Sequence, residues 1–316
     1  MTERTRARFL GPDGAVADWY ARRTYAAADF SAEDLLRRKR ERISVVLPAR
    51  DVGSTLGPIL DELSPLERGG LVDELIVVVG ASKDDTRRVA RRGGATVYDQ
   101  SDLMADFGPV EGKGDALWRS LSVATGEIVV YLDADTENFG AHFALGLIGP
   151  LLVEPSVVLV KGAYRRPFRV GEETVADGGG RVTELLARPW LNLHFPELAG
   201  FVQPLAGEMA ARRSLLERVS FPVGYGVEIA MLIDAFRVAG LDALAQVDLG
   251  SRQNRHQPLR ELSAMAYAVL VAAEARAGRG EAARERVVQS SEAGPRVRPV
   301  AIAERPPYAG LAKPAV

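Results

Sequence analysis

At 316 residues, with 47% hydrophobic and 26% charged side chains, the chain has ample apolar material for a core and lacks the bias of a disordered protein. Its 40 basic and 42 acidic residues leave a net charge of -2, which excludes the cationic footprint of nucleic-acid binders. The absence of cysteine excludes disulfides, thiolate catalysis and cysteine-held metal.

Residues 1–42 are charged throughout and carry no apolar signal core, so they read as an N-terminal helical arm. Within it the cluster Arg37, Arg38, Lys39, Arg40 and Arg42 reads as a solvated helix face. Four apolar, β-branched runs follow: Ile43 to Pro48, Glu74 to Val79, Thr96 to Tyr98 and Glu127 to Leu132. Continuous rather than alternating hydrophobicity marks strands buried on both faces, hence a doubly wound, mainly parallel α/β sheet. Helices are predicted between them. One runs from Ser54 to Leu63 and ends before Ser64-Pro65; one is capped by Asp84-Asp85-Thr86 and ends at Gly93-Gly94; one runs from Asp115 to Thr125. Ala144 to Val153 is the longest apolar run, and Pro150 keeps it well short of the ~20 residues of a membrane span. A soluble, cytoplasmic protein is expected. Later strands are predicted at Val157 to Val160 and Leu244 to Val247, with helices at Val182 to Ala187 and Val227 to Ala239. From Ala275 the chain turns rich in Arg, Ala, Gly, Ser and Pro and reads as a loose extension or dimer arm. The organisation expected is an arm over 1–42, a nucleotide-binding half over 43–136, a second half over 137–272 and an extended tail over 273–316.

Ligands of open α/β sheets bind beyond the carboxyl ends of the strands. The fourth run ends there in Asp133-Ala134-Asp135. Two acids at i and i+2 point the same way, and two converging carboxylates need a positive partner. A divalent cation carrying a diphosphate meets that need. Leu47-Pro48-Ala49-Arg50-Asp51 brings polar groups to the same crevice. Gly112-Lys113-Gly114 sets a lysine at a helix start, an anion-binding arrangement. It is not a P-loop, because Gly108 stands one residue too close and Gly114 replaces the hydroxyl ligand of magnesium. No G-x-G-x-x-G follows the first strand, which argues against nicotinamide or flavin chemistry. Gly178-Gly179-Gly180-Arg181-Val182-Thr183 exposes amides and cationic donors suited to phosphate or carboxylate. Of three histidines, His256, after a late strand, is the candidate metal ligand; His142 and His194 read as structural.

Together, Leu47-Pro48-Ala49, Gly112 to Ser120, the D-x-D, Tyr164-Arg165-Arg166-Pro167, Gly178 to Leu185 and Gly224-Tyr225-Gly226-Val227-Glu228-Ile229 resemble the glucosyl- and mannosyl-3-phosphoglycerate synthases. The resemblance runs from about Ile43 to Met265. It implies a GT-A fold with a C-terminal acceptor-binding part. It also implies retaining transfer of a hexose from a nucleotide sugar to the 2-hydroxyl of 3-phosphoglycerate, dependence on magnesium (or manganese or cobalt), and a homodimer. By that resemblance Asp135 and His256 hold the metal, and Asp135, Glu228 and Leu205 surround the reacting sugar. Pro48, Ala49, Asp51, Ser82, Lys113, Asp133 and Ala134 bind the nucleotide sugar, and Gly180, Arg181, Thr183 and Asn254 bind the acceptor.

Three stretches depart from the family pattern. Asp51-Val52-Gly53 and Val79-Gly80-Ala81-Ser82 stand where Asn-Glu-Glu and Asp-Ser-Gly-Ser are common, and Asn254-Arg255-His256 inverts His-Arg-Asn. A pocket stripped of partners for one base discriminates poorly. The expectation is therefore GDP-mannose as favoured sugar source with glucose compounds also used, the alternative being a strict UDP-glucose enzyme. A sugar nucleotidyltransferase and a non-catalytic sugar-nucleotide-binding protein are the more distant readings.

Overall fold

The computed structural model describes residues 12–170, 173–175, 178–254, 259–280, 283–291 and 294–311. Its strands are β1 (Thr24–Ala26), β2 (Ile43–Ala49), β3 (Glu74–Val79), β4 (Thr96–Asp99), β5 (Ile128–Tyr131), β6 (Leu159–Arg165), β7 (Phe168–Val170), β8 (Glu173–Val175), β9 (Met209–Arg212), β10 (Phe221–Pro222), β11 (Leu244–Ser251), β12 (Arg286–Ser291), β13 (Gly294–Pro299) and β14 (Glu304–Arg305). Eight form the main sheet in the order β1-β11-β6-β9-β5-β2-β3-β4. All neighbours pair parallel except β9, which runs antiparallel to β5 and β6. The doubly wound, mainly parallel sheet expected from the apolar runs is therefore present. Val45, Val46, Leu47, Val77, Val129 and Val130 are fully buried, as strands covered on both faces must be.

The helices covering it are α1 (Pro12–Arg23), α2 (Ala32–Arg38), α3 (Gly53–Arg68), α4 (Thr86–Arg92), α5 (Lys113–Ser120), α6 (His142–Val153), α7 (Arg188–His194), α8 (Arg213–Leu216), α9 (Val227–Ala239) and α10 (Leu259–Arg276). Chain order and sheet order reverse between β2 and β5, the switch point where the carboxyl edge opens into a crevice. The antiparallel β9 brings its amino end to that same edge, which places Glu208 beside Asp133.

Several boundaries differ from the sequence expectation for physical reasons. Helix α3 runs through Pro65 instead of ending before it, and the Ser64 hydroxyl donates to the carbonyl of Leu60 at 2.7 Å within the disturbed turn. Helix α5 is shorter than expected, because Ser120 and Ser122 turn their hydroxyls onto the carbonyls of Leu117 and Arg119. Strand β6 continues to Arg165, so Lys161 and Tyr164 belong to the sheet. Residues Thr183–Ala187 form a widened helical turn, with Arg188 N–H reaching the Thr183 carbonyl, before α7 begins.

The described residues toward both ends, from 12 and up to 311, are integrated into the body. The N-terminal segment is not a free arm: β1 extends the sheet beside β11, and Trp19 of α1 is fully buried. The indole donates to the Leu244 carbonyl at 2.8 Å and packs 4.5 Å from the Phe201 ring. The tail is not loose either. Strand β14 pairs with β10, and β12 and β13 form a hairpin. We predict that Trp19→Ala lowers the free energy of unfolding by about 3–5 kcal/mol, measured by denaturant titration; a loss below about 1 kcal/mol would mean that the N-terminal segment contributes little to the core.

Candidate active site

The crevice is built around Asp133, in the turn after β5. Lys113, first residue of α5, donates to Asp133 Oδ1 and lies 2.8 Å from a carboxylate oxygen of Glu228 on α9. From the other side Arg252, just after β11, places Nη2 at 3.1 Å from Asp133 Oδ2 and 2.6 Å from Asp135 Oδ1. The two acids of the D-x-D thus converge on one guanidinium nitrogen. Burial pushes the Asp133 carboxyl up, but Lys113 and Arg252 together outweigh it and hold it well below the usual carboxylate range. The sequence alone suggested a divalent cation as the counter-charge for this pair; the protein already carries a lysine and an arginine there.

A second layer lies beneath. Arg252 Nε donates to Thr136 Oγ1 at 3.0 Å and sits 2.7 Å from Glu208 Oε1. That contact is an ion pair without hydrogen-bond alignment, since Oε1 has no directed partner. Tyr164 donates its hydroxyl to the other Glu208 oxygen at 2.7 Å. Burial raises the Glu208 carboxyl despite the opposing charge of Arg252. Lys161, fully buried on β6, donates to the Ala206 carbonyl. Gly207, one residue on, is required by space: a Cβ there would collide with the Lys113 amine and the Asp133 carboxylate. Sequence reasoning passed over Arg252, Glu208, Tyr164 and Lys161 as partners of the D-x-D; the signals available were an arginine at a strand end and a lysine in a buried run.

The other expected residues occupy the same edge. Asp51 adopts a left-handed backbone, φ 53°, steadied by Ser82 Oγ accepting from its N–H at 3.1 Å and by its own carboxylate accepting from Lys83 N–H at 2.7 Å. Pro48 and Ala49 end β2, and the Ala49 carbonyl accepts from Gly80 N–H at 2.9 Å. Ala134 faces inward, and its carbonyl accepts from the Thr55 hydroxyl at 2.6 Å, so it ties the D-x-D to α3 instead of lining the crevice with a side chain. Leu205 is half-buried on the turn before Gly207. Asn254 sets its amide nitrogen 3.5 Å from Asp135 Oδ2 and accepts from Arg166 at 3.2 Å. The backbone of Gly179 bonds to Arg166, and Gly180, at φ 71°, lies against Arg166 and Gln203. Arg181 and the buried Thr183 follow, so the glycine turn adjoins the Asp135 end of the crevice. His256 lies outside the described residues, and among these no group of three or more His, Asp or Glu side chains is arranged to hold a metal.

A mainly parallel sheet with a D-x-D after its central strand, basic residues converging on it and a glycine-rich turn alongside defines a GT-A glycosyltransferase. Residues 44–169 match the model of Glycosyl transferase family 2. The glucosyl-3-phosphoglycerate synthase of Mycolicibacterium paratuberculosis is 45% identical over 303 residues, 93% of this chain and 92% of the relative. That of Petrotoga mobilis is 43% identical over 236 residues, 73% of this chain and 72% of its own. Among solved structures, the mannosyl-3-phosphoglycerate synthase of Rubrobacter xylanophilus superposes with a TM-score of 0.83 at 45% identity, covering 92% of this chain and 98% of its own. The Mycobacterium tuberculosis glucosyl-3-phosphoglycerate synthase in complex with Mn2+, UDP-glucose and phosphoglyceric acid gives 0.81 at 43% identity, covering 88% and 94%. The chain belongs to the glucosyl-3-phosphoglycerate synthase family and is a glycosyl-transferring enzyme.

Lys161 supplies a test of this buried charge cluster. Burial pushes its ammonium down from 10.5 to about 8. Between those values the unfolded chain binds one proton more than the folded one, so stability rises with pH across that window. Relative to a Lys161→Met variant, the unfolding free energy should climb above about pH 8 by up to about 1.4 kcal/mol per pH unit. Denaturant titrations from neutral to alkaline pH check this, and parallel profiles for the two proteins would refute it.

Proposed function

We propose that this enzyme transfers glucose from UDP-glucose to the 2-hydroxyl of 3-phosphoglycerate with retention at the sugar carbon. The observation that carries the reading is the convergence of Lys113, Arg252, Glu228 and the D-x-D on one edge, beside a glycine-arginine turn. The UDP-glucose assignment reverses the order expected from the sequence, in which GDP-mannose led. Two considerations support the reversal. The curated relatives are glucosyl synthases, one of them solved with UDP-glucose. The crevice beside β2 and β3 also keeps polar partners: Asp51, Ser82 and Asp84, the last accepting from Gly53 N–H at 2.9 Å. Polar groups held in place in this way can favour one base over another by the hydrogen bonds they offer it.

Residues 43–136 then form the nucleotide-sugar half and 137–272 the acceptor half. Asp135 is half-exposed and presents hard carboxylate oxygen atoms at the crevice, which would suit magnesium or manganese arriving with the diphosphate. The cation would neutralise the departing nucleoside diphosphate. Lys113 bridges Asp133 and Glu228 and so fixes the carboxylate that faces the transferred sugar. Gly180, Arg181 and Thr183 offer amides, a guanidinium and a hydroxyl to the acceptor's phosphate and carboxylate. A homodimer fits the exposed Leu185 and Leu193.

Purified protein given 3-phosphoglycerate with UDP-glucose, GDP-glucose or GDP-mannose should show the highest kcat/KM with UDP-glucose; a preference for GDP-mannose would sink the proposed donor. Asp135→Ala should abolish turnover while leaving the thermal midpoint almost unchanged. Arg181→Ala should raise the KM for 3-phosphoglycerate by roughly 10- to 100-fold, the loss of one charge-assisted contact of about 1.5–3 kcal/mol. An equal rise in the donor KM would move Arg181 out of the acceptor site.

A further inference from the structure

The loop that delivers Lys113 to Asp133 is held by groups the donor chemistry does not use. Asp115, fully buried in the first turn of α5, accepts from two arginines through one oxygen: Arg119 Nε at 2.9 Å and Arg305 Nε at 2.8 Å. Its second oxygen accepts from the N–H of Glu111 at 3.1 Å. The free ends of both guanidiniums gather carbonyls of the preceding loop. Arg119 takes those of Leu103, Met104 and Gly108, and Arg305 those of Phe107, at 2.7 Å, and Pro109, at 3.0 Å. The loop needs this support. Met104 is left-handed at φ 51°, and Gly112, immediately before Lys113, takes a φ of 153° that a side chain would strain.

Arg305 reaches this position from the C-terminal strand β14, 190 residues away in sequence. Its guanidinium carbon lies over the Trp118 ring, 5.8 Å from the centroid, and the indole donates to the Pro306 carbonyl at 2.8 Å. The same strand meets α5 by a second route: Ala303 accepts from Val223 N–H at 2.9 Å, and Val223 in turn accepts from Asp115 N–H at 3.0 Å. We propose that Arg305 is a positioning residue for the nucleotide-sugar site, fixing through Asp115, Phe107 and Pro109 the loop that sets the Lys113 amine on Asp133. This rests on the reading of Lys113 as a nucleotide-sugar residue.

The test uses Arg305→Met and Arg305→Lys in the full-length enzyme. Asp115 keeps Arg119 in both, so its charge is not left unpaired. Lysine retains charge but cannot fork between two carbonyls, so it should rescue little. Both variants should raise the KM for UDP-glucose, and the Kd of UDP with Mn2+ by calorimetry, by about tenfold, with the KM for 3-phosphoglycerate unchanged. Hydrogen exchange read without substrate should quicken in residues 107–112 while β2 and β3 keep wild-type protection. Unchanged exchange in that loop, or equal rises in both KM values, would overturn the proposal. Should Arg305→Met fail to fold, Arg305→Lys carries the same readouts. Wild-type enzyme that ignores UDP-glucose would sink the sugar-source reading and leave the exchange measurement to decide this one.

Discussion

The site depends on the charge balance around Asp133. A carboxylate at the end of a buried strand costs several kcal/mol unless compensated, and here the compensation is built in: Lys113 on one side and Arg252 on the other. Both cations serve other acids as well, Lys113 pairing with Glu228 and Arg252 with Asp135 and Glu208. Loss of Lys113 would leave Glu228, and loss of Arg252 would leave Asp135 and Glu208, without an ion-pair partner. Because two cations are shared among four carboxylates, the cluster has no positive charge to spare, and a diphosphate entering this crevice brings uncompensated negative charge. A divalent cation arriving with it restores the balance, which is the physical reason for metal dependence in a pocket already rich in basic groups.

What was legible in the sequence follows from the range of the interactions. Strands β2, β3 and β5 announce themselves because continuous burial on both faces forces runs such as Val77-Val78-Val79 and Val129-Val130-Tyr131. The D-x-D was legible because it closes such a run. Partners drawn from distant strands were not: Arg252 meets Asp133 across 119 residues of chain, and an arginine at a strand end, as in Gly250-Ser251-Arg252, does not reveal which acid it will meet. Glu208 was hidden for a different reason, since only the antiparallel sense of β9 brings it to the carboxyl edge.

Composition misled at both termini for the same reason. Charged and small residues over 1–42 and 273–316 suggested peripheral chain, yet among the described residues a few anchors decide their place. Trp19 buries one end, while Arg305, Trp118 and Tyr308 dock the other. Arg276, held by Asp234 and Glu304, ties α10 to the same strand. Average polarity does not register one indole or one forked guanidinium, and those carry the docking.

The loops at the ends of β2 and β3 are built differently from the charge cluster. The charge cluster is buried and interlocked, whereas Asp51, Lys83, Asp84 and Asp85 are exposed and bonded mainly to neighbouring backbone. Substitution in those loops costs little stability, because surface changes away from the core usually stay within about 0.5 kcal/mol. Such loops can diverge while the catalytic edge is retained. A mannosyl synthase and a glucosyl synthase can then share this chain's fold at 45% and 43% identity. Overall identity weighs the common edge and does not separate a mannosyl from a glucosyl synthase, because a difference confined to a few exposed loop residues would hardly change it.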